Sequence, residues 1–406
     1  MSTIVIVGGG LAGAKTSEAL RAQDFDGEVV LFGREERLPY ERPPLSKDFL
    51  AGKKTLPDFT VHDADWYRDN RIDLRPGTSV SAVDAASKTV ILPDGSSVAY
   101  DKLVLATGSS PRRLDIPGAH AGGVFYLRSI DDATVLTEAI DEGQRLAIIG
   151  GGWIGLEVAA SARQRGIEVV LAERGPVPLQ KILGPEVAEV FAALHRDHGV
   201  DLRTQVDVAE ILTTDGKAAG LRFGDGTSVT ADMVLIAVGA VAELDLATSA
   251  GLVLSDGGVQ VDAGLRCSDP AIYAVGDIAA AQHRLLGRRI RVEHWANALN
   301  QPAIAATNLV GGDAEYDNLP YFFTDQYDLG MEYVGMASAD DEVVIRGDLA
   351  TREFVALWLT PDGKIAAGMQ VNIWDQLDDI KQLITGGVRV DARRLADISL
   401  PLNSFH

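Results

Sequence analysis

The chain has 406 residues, 46% of them apolar, with 42 glycines, one cysteine and a formal net charge of −21. That length makes about two or three packed domains, and the acidic balance excludes a general nucleic-acid binder, which needs a basic face. Cys267 alone cannot form an internal disulfide, a CxxC redox pair or a Cys-based metal cluster, and as a free thiol it is expected to be inert. No apolar run reaches the roughly 18 residues of a spanning helix, and the N-terminus lacks the basic and apolar regions of a signal peptide. The expectation is a cytoplasmic protein without nucleic acid, membrane or metal.

The first element is "TIVIV" (3–7), an apolar strand run into a glycine-rich turn and a small-residue helix start, "LAGAKTSEALRAQ". Gly8, Gly10 and Gly13 form G-x-G-x-x-G in the strand–turn–helix context that gives this motif its meaning. The first glycine allows the tight turn, the second lets backbone approach a pyrophosphate, and the third lets helix and strand pack closely. The helix N-terminus presents unpaired N–H groups and its positive dipole end to the phosphates. Ala12 lies inside the same turn. The next strand, "EVVLF", is followed by "GREE". An acid here would hold a ribose; Gly33 occupies the simplest slot, and Glu35, two residues on, is favoured as the ribose ligand over Glu36 or over being a merely solvated charge.

The pattern returns at "AIIGGGWIGLEVAA" (147–160), with Gly150, Gly152 and Gly155, so the first glycines of the two turns lie 142 positions apart. The strand "EVVLAE" then ends at Glu173, 18 residues after Gly155, close to the usual spacing of about 20 for the ribose acid. A carboxylate there accepts from both ribose hydroxyls and repels a 2′-phosphate. Arg174 follows it and could serve NADP, but Glu173 in the terminal slot predicts NADH. Two phosphate-cradling turns imply two dinucleotides. One is a nicotinamide. The other is read as a flavin, because a flavin accepts a hydride and can release single electrons.

After "GGDAEYDNLPYF" the pattern becomes alternating strands, "GMEYVGMA", "EVVIRGD", "REFVALWLT" and "KIAAGMQVNI", then a helix, "WDQLDDIKQLIT". The predicted class is α/β: two Rossmann-like dinucleotide-binding domains, in the arrangement of glutathione reductase, plus a C-terminal α/β domain. The segments that the resemblance given next assigns to the flavin lie both before and after the second turn. The first domain is therefore expected to be split, 1–112 plus 236–316, with the second inserted at 113–235 and the third at 317–406.

The segments "LPYERPPLSKDFL" (38–50), "LVLATGSSPR" (103–112), "YLRSIDDA" (126–133), "IYAVGDIA" (272–279) and "RVEHWANALNQ" (291–301) occur in order with both turns. Together they resemble the FAD-dependent NADH:ferredoxin reductases of bacterial cytochrome P450 and ring-hydroxylating oxygenase systems. The resemblance runs from residue 3 to about residue 375. It implies that NADH reduces FAD by hydride transfer without a protein nucleophile, and that electrons then pass singly to a [2Fe–2S] ferredoxin. It implies FAD contacts at Arg42, Val80, Arg128 and the small-residue crossing Ala106, Thr107 and Gly108. Asp277 would bind the ribityl chain, or cap a helix in "IAAAQH". Lys47 would stand beside flavin N5, paired with Glu157; the bland alternatives are a solvated lysine and a first-turn helix acid. Trp295 would lie against the flavin. Ile154 and Gly239 would lie near the NAD.

The chain being acidic, attraction of an acidic ferredoxin needs a local patch. Arg284, Arg288, Arg289 and Arg291 are the candidates, against an ordinary solvated hairpin. One departure is Phe323 in "PYFFTDQY", where relatives often have tryptophan. Thiol-dependent NADH peroxidases, oxidases and disulfide reductases carry a cysteine in the region that here reads "RPPLSKDFLAGKK", which excludes their mechanism. Two other readings stay open: a cysteine-free NADH:quinone-type reductase, and a flavoprotein whose redox state reshapes a binding surface. The chain is read as a monomer or a homodimer.

Overall fold

The computed structural model describes residues 2–405. The chain forms two compact units, one of segments 1–41, 56–110 and 240–320, the other of 42–55, 111–239 and 321–406.

The first unit is built on a parallel sheet in the order Ile272–Ala274, Lys102–Leu105, Thr3–Val7, Glu28–Phe32, Ile72–Arg75. The central strand has no polar alternation because both faces are covered: Ile4, Val5 and Ile6 are at most 1% exposed. The helix Leu11–Ala22 follows it and packs on the helix Trp295–Leu309. "IAAAQH", the helix that Asp277 would cap on the alternative reading, is the strand Ala279–His283, paired with Gly258–Val261 and Arg288–Arg291. Its buried alanines fill a ladder position, so pairing overrides helix propensity, and Asp277 caps no helix there.

The second unit repeats the arrangement with the parallel order Asp201–Arg203, Glu168–Ala172, Arg145–Ile149, Met233–Ile236, Val124–Phe125. The helix Trp153–Gln164 follows its central strand. The unit also holds a five-stranded antiparallel sheet, in the order Tyr321–Gln326, Leu329–Gly335, Ile365–Val371, Glu353–Leu359, Glu342–Asp348. The helix Leu377–Gly386 packs on that sheet. Tyr321–Gln326 escaped the sequence reading because three of its six residues are apolar or aromatic only at one end, "YFF", without sustained alternation.

Residues 42–55 group with the second unit, whereas the expected first domain ran through them. The cause is local. Ser161 Oγ donates to the Ser46 carbonyl at 2.8 Å, and the Arg165 guanidinium donates to the Leu50 carbonyl at 2.9 Å. Among the described residues, no helix is long and apolar enough to cross a membrane, and no group of His, Cys, Asp or Glu could hold a metal ion.

Candidate functional site

The two glycine turns have one geometry. Gly8 and Gly150 have φ of +128° and +110°, and an added Cβ would lie 2.1 Å from the Ala106 carbonyl oxygen and 2.3 Å from that of Ala237. A Cβ on Gly13 would meet the Gly8 carbonyl oxygen at 2.0 Å, and one on Gly155 the Gly150 carbonyl oxygen at 2.1 Å. These four glycines are fixed by contact with backbone. Gly10 and Gly152 differ: a Cβ on either meets nothing within 4 Å. Each is the N-cap of its helix, with no side-chain cap and no acid in the first turn. No side-chain cap answers the first N–H groups of either helix, and the N-cap glycine leaves room beside it, as a pyrophosphate cradle requires. The residues present fit a dinucleotide at both places.

In the first unit, Glu35 is half-buried and accepts from the Tyr40 hydroxyl at 2.5 Å, while Glu36 is exposed. Ala106 donates its N–H to the Val7 carbonyl at 2.8 Å, the Thr107 hydroxyl donates to the Glu243 carbonyl at 2.9 Å, and Gly108 has φ +71°. Asp277 is 8% exposed and accepts from the Ser109 hydroxyl at 2.6 Å. Its neighbour Gly276 comes against the first turn, where an added Cβ would lie 3.2 Å from that of Ala12. Ala12 itself is buried. Trp295 opens its helix half-buried, and Val80 is half-buried ahead of the strand Ala82–Asp84. Arg42 and Arg128 belong to the second unit, where the Arg42 guanidinium donates to the Arg128 carbonyl.

In the second unit, Glu173 accepts at both oxygens, from Gly151 N–H at 2.8 Å and Gly175 N–H at 2.5 Å. These bonds fix the carboxylate beside the turn, and each oxygen keeps a lone pair for a ribose hydroxyl. Arg174 is turned to Asp207, at 2.6 Å. Ile154 is exposed on the first turn of its helix. Gly239 has φ +101° with open space where a Cβ would stand.

The same unit buries a charge pair. Lys47 Nζ lies 3.5 Å from Glu157 Oε1, with the two side chains 12% and 7% exposed. Glu157 also accepts from the Ser46 hydroxyl, and from the Thr324 hydroxyl at 2.7 Å. The Lys47 ammonium stands 4.4 Å from the centre of the Phe323 ring, a cation–π distance. Glu157 is therefore not a first-turn acid answering the helix dipole, and Lys47 is not a solvated lysine. A buried ion pair persists only with such extra hydrogen bonds. Ser46, Ser109 and Thr324 were missed by the sequence reading. Ser46 and Thr324 sit in segments quoted for other residues, and nothing in the spacing joins them to Glu157.

The arginine cluster is partly neutralised. Arg284 pairs with Glu315 at 3.1 Å and Arg291 with Glu293 at 2.6 Å. Arg288 and Arg289 form no ion pair among the described residues. The Cys267 thiol is buried, and burial pushes its pKa up.

Residues 2–301 match the family model described as pyridine nucleotide-disulphide oxidoreductase, and residues 321–406 match the one described as reductase C-terminal. The ferredoxin–NAD(+) reductase component of the anthranilate 1,2-dioxygenase system of Burkholderia cepacia is 41% identical over 402 residues, covering 99% of this chain and 98% of that protein. Putidaredoxin reductase of Pseudomonas putida is 37% identical over 407 residues, covering 99% and 96%. The crystal structure of the covalent putidaredoxin reductase–putidaredoxin complex matches with a TM-score of 0.95 at 36% identity, covering 100% of this chain and 98% of that one.

Proposed function

Because this chain belongs to the pyridine nucleotide-disulphide oxidoreductase family, with a reductase C-terminal domain, we propose that it is an NADH-dependent ferredoxin reductase. Its ferredoxin, of the [2Fe–2S] type, serves a cytochrome P450 or a ring-hydroxylating oxygenase. The observation that carries the reading is the pair of uncapped glycine cradles in a chain with one inert thiol. When bound, FAD supplies the conversion of one hydride from NADH into two single electrons.

The chain's residues bind and orient. Gly8, Gly10, Ala12 and Gly13 hold the FAD pyrophosphate and Glu35 its ribose. Arg42, Val80, Ala106, Thr107, Gly108, Arg128, Asp277 and Trp295 complete the FAD contacts. Gly150, Gly152, Ile154, Gly155 and Gly239 hold NADH, and Glu173 its adenosine ribose. Lys47 is the cation that stabilises negative charge developing in the reaction, held in place by Glu157. Phe323 supplies a ring face to that cation, a role that needs no tryptophan. Arg288 and Arg289, whose charges no acid of the described residues neutralises, are the ferredoxin-docking residues, with the Arg289 guanidinium also donating to the Ala280 carbonyl at 3.2 Å. NADH as reductant places the work in the cytoplasm, where it is regenerated.

The test is NADH oxidation by the purified FAD-loaded protein, with and without a small [2Fe–2S] ferredoxin coupled to cytochrome c. A rate that depends strongly on ferredoxin supports the reading. Reduction of FAD by NADH without ferredoxin dependence would sink the acceptor assignment and favour a small-molecule acceptor or a redox-switched binder.

A further inference from the structure

The Glu157 carboxylate is the end of a buried polar chain that reaches across three segments. The Thr324 hydroxyl donates to Glu157 Oε1 at 2.7 Å, and Gln326 Nε2 donates to Thr324 Oγ1 at 3.1 Å. Gln326 Oε1 lies 2.9 Å from His195 Nε2, and the Tyr327 hydroxyl lies 3.4 Å from His195 Nδ1. Thr324 and His195 are 0% exposed and Gln326 1%. Thr324 and Gln326 share the inward face of the strand Tyr321–Gln326, with Asp325 pointing out. His195 lies on the buried stripe of the helix Pro185–Asp197.

The donors have one direction. A carboxylate only accepts, so the single Thr324 hydroxyl proton goes to Glu157. Thr324 Oγ1 must then accept, which turns the Gln326 amide with its NH₂ toward Thr324 and its oxygen toward His195. The opposite amide orientation would leave one hydroxyl proton between two acceptors. Gln326 Oε1 requires a donor, so His195 carries its proton on Nε2 and leaves Nδ1 to accept from Tyr327. Burial lowers the His195 pKa to about 4, which keeps the ring neutral and able to accept at Nδ1. An ordinary apolar core would bury these positions at less desolvation cost, and a satisfied network of this kind fixes the groups at its end.

We propose that His195 and Gln326 are positioning residues: a one-way hydrogen-bond chain that fixes Glu157 Oε1 through Thr324, and with it the Lys47 ammonium. This rests on the assignment of Lys47 and Glu157 to the reductase reaction.

Two measurements on the FAD-loaded protein test it. The first is ¹⁵N-histidine NMR at neutral pH. The expected result is the Nε2-protonated tautomer at His195, lost as a fixed preference in Gln326→Leu. The second is anaerobic stopped-flow reduction by NADH. Thr324→Val should lower the limiting rate about tenfold, the worth of one hydrogen bond to a charged group, with half-saturation by NADH nearly unchanged. Thr324→Ser should restore the rate, and Gln326→Leu should give a smaller loss in the same direction. An Nδ1-protonated His195 in the wild type overturns the proposal. So does a Gln326→Leu protein that loses thermal stability but keeps its limiting rate, or a Thr324→Ser protein as slow as Thr324→Val. If NADH fails to reduce the wild-type flavin, the reductase reading falls, while the tautomer still decides the direction of the chain.

Discussion

Replacing Gly152 and Gly155 by alanine, one at a time, separates the binding role of a glycine from its packing role within a single turn. At Gly155 the new Cβ would stand 2.1 Å from the Gly150 carbonyl oxygen. That neighbour is backbone inside the turn and cannot swing aside, so the cost is overpacking of about 1–3 kcal/mol or more. At Gly152 the backbone is extended, φ −80° and ψ −179°, and the new Cβ meets nothing within 4 Å. Alanine fits there without strain and even gains about 0.4–1 kcal/mol by restricting the unfolded chain. The same Cβ, however, stands where a pyrophosphate must approach the helix N–H groups. Losing one charge-assisted hydrogen bond there costs about 1.5–3 kcal/mol, or roughly a 10- to 100-fold weaker NADH complex. Thermal unfolding and NADH titration of the FAD-loaded variants read the two effects separately. Gly155→Ala should melt lower. Gly152→Ala should melt no lower than the wild type, or slightly higher, and bind NADH poorly, with its FAD content intact. The matching variant Gly10→Ala should lose FAD instead. A Gly152→Ala protein that binds NADH with wild-type affinity would remove the second turn from the nucleotide site.

Other outcomes follow from the same geometry. Wild-type kcat/KM should favour NADH over NADPH, and Glu173→Ala should erase much of that preference; equal efficiency with both cofactors in the wild type would refute the ribose assignment. Reversing charge at Arg288 and Arg289 together should raise KM for ferredoxin, more so at low salt, and leave KM for NADH unchanged; no change in either would take these residues out of the docking surface. Because burial raises the Cys267 thiol pKa, treatment with maleimide and the Cys267→Ala change should both leave NADH turnover intact. Inhibition by maleimide that Cys267→Ala abolishes would bring a thiol into the mechanism.

What was legible in the sequence is what local geometry demands. Gly8, Gly13, Gly150 and Gly155 are each required by a backbone atom a few residues away or on the adjoining crossing, so a short motif in strand–turn–helix context reveals them. The placement of the Glu173 carboxylate beside the turn was legible for the same reason, since a strand end fixes its distance from the turn. The alternative of a helix in "IAAAQH", capped by Asp277, fails because helix propensity is local while the strand partners of 279–281, Gly258–Val261 and Arg288–Arg291, are set by the sheet. The surroundings of Glu157 were not legible at all. Ser46 and Thr324 reach it across 111 and 167 positions, and hydroxyl residues at such separations carry no spacing signal.

The two turns also show why one signal can recur and yet mark different chemistry. Their cradles are alike, down to a first glycine held against the crossing segment, Ala106 in one and Ala237 in the other. What differs is the company each keeps within its own unit. Beside the first turn the chain brings Asp277 with its Ser109 hydroxyl, a buried acid suited to an extended polyol. Beside the second it fixes Glu173 by two backbone N–H groups and turns Arg174 away to Asp207, which favours an unphosphorylated ribose. The helix that leaves the second turn also carries Glu157, one helical turn beyond Trp153, so the turn proposed to cradle the nucleotide also sets the base of the Lys47 pair. A glycine motif is thus a statement about phosphate alone. On the proposed reading, the identity of the dinucleotide is set by the acids and hydroxyls that the rest of each sheet delivers to it.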